Sequence, residues 1–255
     1  MAAWLILPAL ALCLMLASPA LSADLLAPFK DELFAYPRLL EQSDGGRHIT
    51  VDYRPERDID GRDQIPERRV RSAYVDLGVR RSQRDLIAAA GKVHIRHIAV
   101  GRTENARFIV LYLHGQGGNR AQGMNDHTFG GNFNRIKNLA ARNGGLYLTT
   151  DFSDFGAAGA RQVASLIKLH AANSPGAPVY VACGSMGGAL CWQLANDADV
   201  APRLGGLLLL GSHWDETFLS SRAFKSRVPV FFGHGGDDKV FPVAQQERFF
   251  RSILR

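Results

Sequence analysis

Ser185 stands in the stretch Cys183-Gly184-Ser185-Met186-Gly187-Gly188, directly after the β-prone run Val179–Ala182. A serine hydroxyl is a weak nucleophile until a base takes its proton and donors stabilise the oxyanion that follows. A sharp strand-to-helix corner serves that chemistry, because it projects the oxygen above a sheet edge, and small neighbours let strand and helix approach closely. Gly187 and Gly188 provide the room. The strand is expected to end near Cys183 and the helix to begin near Met186, whose free N–H groups and dipole favour negative charge.

The elements that must hold this corner fall into two sets. The segments "HITVDYR", "RRVRSAYVDL" and "VHIRHIAVGR" carry β-branched, alternating residues and are expected to open the domain as antiparallel strands, after a short helix and turn in residues 24–46. From Arg107 onward, apolar strands alternate with helical stretches: "RFIVLYLHG", "NFNRIKNLAARN", "GGLYLTTDF", "GARQVASLIKLHAAN", "APVYVACGS", "MGGALCWQLAND", "LGGLLLLGS", "RVPVFFGHG" and "VAQQERFFRSI". Such alternation predicts an α/β fold with a mostly parallel central sheet and helices on both faces. No repeat, low-complexity tract or long linker interrupts it.

Over roughly Arg107 to Phe250 the sequence resembles the α/β-hydrolase family of serine esterases. Three motifs carry the resemblance: the Ser185 elbow, with Cys183 in place of a first glycine; the loop His114-Gly115-Gln116-Gly117-Gly118; and the segment "PVFFGHGGDDKVFP". The resemblance implies Ser185 as nucleophile, backbone N–H groups of Gln116 and Met186 as the oxyanion donors, and Asp238, four residues before Pro242, as the acid that orients a histidine. Asp238 as the cap of a helix starting near Val243 is the structural alternative. The glycine loop lacks the Gly-Lys-Ser/Thr ending and the third glycine of the phosphate-cradling patterns.

The resemblance also requires a histidine after the acid, and the 255-residue sequence has none beyond Asp238. Three explanations stand: a chain shortened at its C-terminus, without the final strand and its histidine; another histidine as base, for which His213 in "GSHWDE" is the best placed; or a scaffold that binds without catalysis. His114 and His234 precede glycines at strand ends and are expected to support loops. His127 lies in a polar loop, and His48 and His170 have no evident chemical neighbour. His94 and His97, three apart on a predicted strand, face opposite sides and would not share a metal. No spacing of His, Cys, Asp and Glu marks a metal site, and the expected chemistry needs no cofactor.

Composition bounds the rest. With 46% hydrophobic and 21% charged residues, the chain fits one globular domain. The apolar block Trp4–Ala17, followed by small residues, reads as a secretory signal peptide over residues 1–22, cleaved before Ala23, with residues 23–255 as a single α/β-hydrolase-like domain. Export to a periplasm or medium is the expectation, and an uncleaved membrane anchor the alternative. Cys183 and Cys191 are expected to be two buried thiols. Between Arg47 and Arg107 stand 14 basic and 9 acidic residues within a net charge of +6. This surplus suits a solvated surface or an anionic partner, and no basic helix with interleaved aromatics points to nucleic acid. The expected function is hydrolysis of a small-molecule carboxylic ester through an acyl-enzyme on Ser185. An inactive or truncated binding protein on the same scaffold is the alternative.

Overall fold

The computed structural model describes residues 26–91 and 93–254, so the expected leader lies outside it. Two small antiparallel hairpins come first: β1 (Leu39–Ser43) with β2 (His48–Val51), and β3 (Asp63–Ile65) with β4 (Arg69–Val70). The main sheet follows, from β5 (Gln83–Ala90), β6 (Val93–Gly101), β7 (Ile109–Leu113), β8 (Leu146–Thr150), β9 (Val179–Ser185), β10 (Leu204–Ser212) and β11 (Val230–Gly233). Its spatial order is β11-β10-β9-β7-β8-β6-β5. The pairs β5/β6 and β6/β8 are antiparallel, and all others are parallel.

Helices form the crossovers that parallel pairing requires. The segments α1 (Arg120–Met124) and α2 (Asn132–Arg142) join β7 to β8, α3 (Ala157–Asn173) joins β8 to β9, and α4 (Gly188–Asn196) joins β9 to β10. The short α5 (Arg222–Lys225) precedes β11, and α6 (Val243–Ile253) follows it. Strand alternation sends side chains to both faces. Ile109, Leu111 and Leu113 of β7 pack with Val163 and Ile167 of α3, Leu190 and Leu194 of α4 and Phe249 of α6. Tyr112 and Tyr147 pack on the other face with Phe133 and Ala140 of α2. With both faces covered, the central strands are apolar almost throughout, which is why the sequence displays them so clearly.

The opening segments depart from expectation. The strands in "HITVDYR" and "RRVRSAYVDL" do not pair with "VHIRHIAVGR"; they belong to the separate hairpins, and of the second only Arg69–Val70 is strand. The partner of β6 is β5, "QRDLIAAA", whose alanines gave little β signal. Cys183 and Cys191 are not separate thiols: they form a disulfide between β9 and α4, with Cα atoms 6.5 Å apart. Among the described residues, no helix is long and apolar enough to cross a membrane.

Candidate active site

At the end of β9 the chain leaves the sheet through Ser185, whose φ of 51° lies in the left-handed region. A non-glycine residue there costs on the order of 1–3 kcal/mol and persists only where its surroundings hold it. Here the holding contacts are visible. The Ser185 carbonyl accepts a bond from the Ser212 hydroxyl (2.8 Å) and one from the His213 backbone N–H (3.0 Å). Ser212 is fixed in turn by buried Gln246 of α6, whose Nε2 donates to the Ser212 carbonyl at 2.5 Å. Strand β9 runs to Ser185 and α4 starts at Gly188, each about two residues beyond the sequence expectation.

The glycines leave space for this approach. A Cβ on Gly115 would stand 2.7 Å from Ser185 Cβ and 3.2 Å from its Oγ, so the loop after β7 lies directly against the hydroxyl. A Cβ on Gly188 would meet Ser212 Oγ and the His213 carbonyl, at 2.3 and 2.6 Å. Gln116, next to Gly115, and Met186, next to Ser185, have backbone N–H groups that make no hydrogen bond among the described residues. Two unpaired donors thus flank the hydroxyl at a strand-helix junction, a place suited to an anionic oxygen.

His213 follows β10, which extends to Ser212 beyond the expected end at Leu210. Its main chain is pinned on both sides, since its N–H meets Ser185 and its carbonyl accepts from Trp192 Nε1 at 2.9 Å. Its ring lies edge-on to Phe241 at 6.2 Å, and Nδ1 is buried without a hydrogen-bond partner among the described residues. Asp238 lies at the same end of the sheet, with Oδ2 3.7 Å from the place a Gly211 Cβ would occupy. Its Oδ1 accepts from the N–H groups of Phe241 (2.9 Å) and Val240 (2.8 Å). The Phe241 bond foremost, with that of Val240 and the nearby His234, holds its carboxyl below the ordinary range against the opposing effect of burial.

Asp238 is therefore a turn-forming carboxylate and does not cap α6, whose N-cap is Pro242. Its imidazole neighbour is His234, with Nε2 3.5 Å from Oδ2 and 2.5 Å from the Phe241 carbonyl. Ser185, His213 and Asp238 lie at one end of the sheet, but no hydrogen bond links the three side chains among the described residues. His114, the other strand-end histidine, bonds the Gly115 carbonyl through Nδ1 (2.8 Å) and stacks on Phe152 at 4.2 Å, supporting the glycine loop as expected.

Sequence reasoning missed Ser212 and Gln246, which act through main-chain carbonyls and carry no motif. It also missed the partner of His170. His97 and His170 are buried together, with Nε2 atoms 3.1 Å apart. That signal was present: Val163, Ile167 and His170 recur at helical spacing on the apolar face of α3. Among the described residues, no group of three His, Cys, Asp or Glu side chains could hold a metal.

Strand order, crossovers and the serine corner can be set beside known proteins. A predicted CIB-like hydrolase from Thermoplasma acidophilum superposes with a TM-score of 0.50 at 14% identity, over 67% of this chain and 82% of that one. The chain has the α/β-hydrolase fold. Other solved structures similar to this chain include an alpha-beta serine hydrolase homologue from Coxiella burnetii (TM-score 0.47, 14% identity, 67% and 82% of the two chains). An esterase from Pyrococcus furiosus is a further one (TM-score 0.48, 12% identity, 68% and 78%). No protein-family model and no curated protein matches the sequence.

Proposed function

We propose that this chain is an exported serine hydrolase cleaving a small-molecule carboxylic ester through an acyl-enzyme. The observation that carries the reading is Ser185 itself, a serine kept at φ 51° on the corner between β9 and α4, with Gly115 against its oxygen. Strain is retained at such a position where a side chain must be aimed.

In this reading Ser185 Oγ attacks the acyl carbon and its proton passes to a base. The N–H groups of Gln116 and Met186 hold the oxyanion. The tetrahedral adduct expels the alcohol, which takes the proton back from the base, and water repeats the sequence to release the acid and regenerate Ser185. His213 is the candidate base, supported by its pinned main chain beside Ser185 and its unbonded Nδ1. Asp238 is the candidate acid. Fluorophosphonate labelling tests the proposal: the unmodified chain should incorporate one equivalent and Ser185→Ala none, and an unlabelled folded chain would refute it.

A second reading, a binding protein on the same fold, is favoured by one observation: among the described residues Asp238 faces His234, and no imidazole nitrogen bonds Ser185 Oγ. Ligand binding that survives Ser185→Ala, without turnover of a short-chain aryl ester, would favour it.

Export is supported by the apolar N-terminal block and by the Cys183–Cys191 disulfide, a pairing that persists in oxidising compartments. A mature chain beginning at Ala23, read by mass spectrometry of the protein from its native host, is the expected result. A chain retaining Met1 would instead mean an anchor.

A further inference from the structure

Residues 68–84 carry Arg68, Arg69, Arg71, Arg80, Arg81 and Arg84 against one acid, Asp76. In the fold Asp76 is neutralised by Arg142, and Arg80 by Asp126. The remaining arginines are exposed and form no ion pair among the described residues. Their surroundings contrast with this: Arg54 and Arg57 are held by Asp52 and Asp58, and Arg62 by Asp63. Exposed Glu67, at the edge of the stretch, offsets one charge.

Two pieces of main chain are brought together here. The β3–β4 hairpin is tied to the loop after α1 by Val70 N–H on the His127 carbonyl (3.0 Å), and Arg80 reaches the adjacent Asp126 at 2.9 Å. Arg68, Arg69 and Arg71 stand within two residues of Val70 on one segment and Arg81 follows Arg80 on the other, and the two segments are tied at the same pair of loop residues. Exposed apolar side chains lie among them: Ile65 (49% exposed) pairs with Arg69 across the hairpin, Leu77 (42%) opens the turn to Arg80, and Phe129 (52%) follows His127.

The first described residues run over this region too. Lys30 Nζ bonds the carbonyls of Ala73 and Val75, and the rings of Phe34 and Tyr74 meet edge-on at 5.7 Å. The apolar block Trp4–Ala17 precedes them in the sequence.

We propose that this face docks on an anionic phospholipid surface, with the guanidinium groups of Arg68, Arg69, Arg71 and Arg81 on headgroup phosphates and Ile65, Leu77 and Phe129 entering the interface. Clustered, uncompensated arginine with scattered apolar side chains matches a charged interface with an apolar layer beneath it. A soluble polyanion would use the charges and leave the apolar groups in water. The proposal does not depend on the reading of Ser185.

The test is co-sedimentation of the full chain with vesicles of phosphatidylcholine alone and of phosphatidylcholine with an equal part of phosphatidylglycerol. Each basic residue near an anionic surface contributes roughly a fivefold gain in partitioning, screened by salt. The expected result is more than about tenfold preference for anionic vesicles, abolished at high salt. That preference should be lost when Arg68, Arg69, Arg71 and Arg81 are all changed to Gln, and kept in a charge-matched control with Arg161, Arg222, Lys225 and Arg248 changed to Gln. The single variant Arg81→Gln, expected to lose roughly fivefold, serves should the multiple variant misfold. Equal partitioning on both vesicles, or an equal loss in both multiple variants, overturns the proposal. So does heparin binding without vesicle binding, which would identify a soluble polyanion partner.

Discussion

At Ser185 the demands of geometry and stability oppose each other. Glycine adopts φ near 50° without the steric cost that a Cβ incurs, so Ser185→Gly should stabilise the fold by about 1 kcal/mol, raising Tm by about 2–4 °C. Ser185→Ala keeps the Cβ and should leave Tm unchanged, although both variants lose labelling. Thermal unfolding of the three proteins checks this; a Ser185→Gly variant no more stable than Ser185→Ala would mean the corner is not strained. Gly115→Ala should slow labelling by about tenfold or more, since the added methyl displaces the hydroxyl. At this scale the sequence displayed what is local. Ser185 and Asp238 sit in short motifs whose main-chain turns are written in neighbouring glycines. The pairing of Asp238 with His234, four residues apart, depends on side-chain direction within the turn between β11 and α6, which motif spacing does not encode.

At the scale of elements, buried polar groups join segments that apolar packing alone would leave free to slide. On one face, Lys137 of α2 is buried with Nζ 2.7 Å from Asp126 Oδ1 and 2.5 Å from the Met124 carbonyl, tying the loop after α1 to α2. Removing Lys137 leaves buried Asp126 with only the half-exposed Arg80 as counter-charge, so Lys137→Met should destabilise by about 2–3 kcal/mol. Lys137→Met combined with Asp126→Asn should cost less than that single change, as chemical denaturation of the two variants would reveal. On the other face, His97 of β6 meets His170 of α3. Burial holds both imidazoles below their ordinary range, His170 at about 4, with the His97 ring adding to its shift. An unfolded chain protonates these rings near pH 6.5, so between about 6.5 and 4 it binds more protons than the folded one. Stability is therefore complete above that window and falls as pH descends through it, by on the order of 3 kcal/mol from His170 alone. Urea midpoints at about pH 7 and about pH 4.5 should differ less in His170→Gln than in the unmodified chain, and an identical difference would remove the pair as the cause.

Across the whole molecule, the sheet was legible where strands are covered on both faces and obscure where they are not. Strands β7 to β10 are buried and read as apolar runs, whereas β5, at one edge, reads as arginine, aspartate and alanine. The opposite edge is β11, which pairs with β10 and with no other strand among the described residues. Its Phe231 is 48% exposed, and no N–H of Val230–Gly233 donates outside the sheet among the described residues. An apolar edge with free donors and acceptors is a template for another strand, and a charged side chain on it is a common natural safeguard. Val230–Gly233 carries no charged residue. The apparent mass of the purified protein by light scattering should therefore rise with concentration, and Phe231→Lys should suppress the rise without altering Ser185 labelling, because position 231 stands on a strand two places from β9. Association unchanged by Phe231→Lys would locate the contact elsewhere, with the exposed apolar groups beside Arg69 the next surface to test.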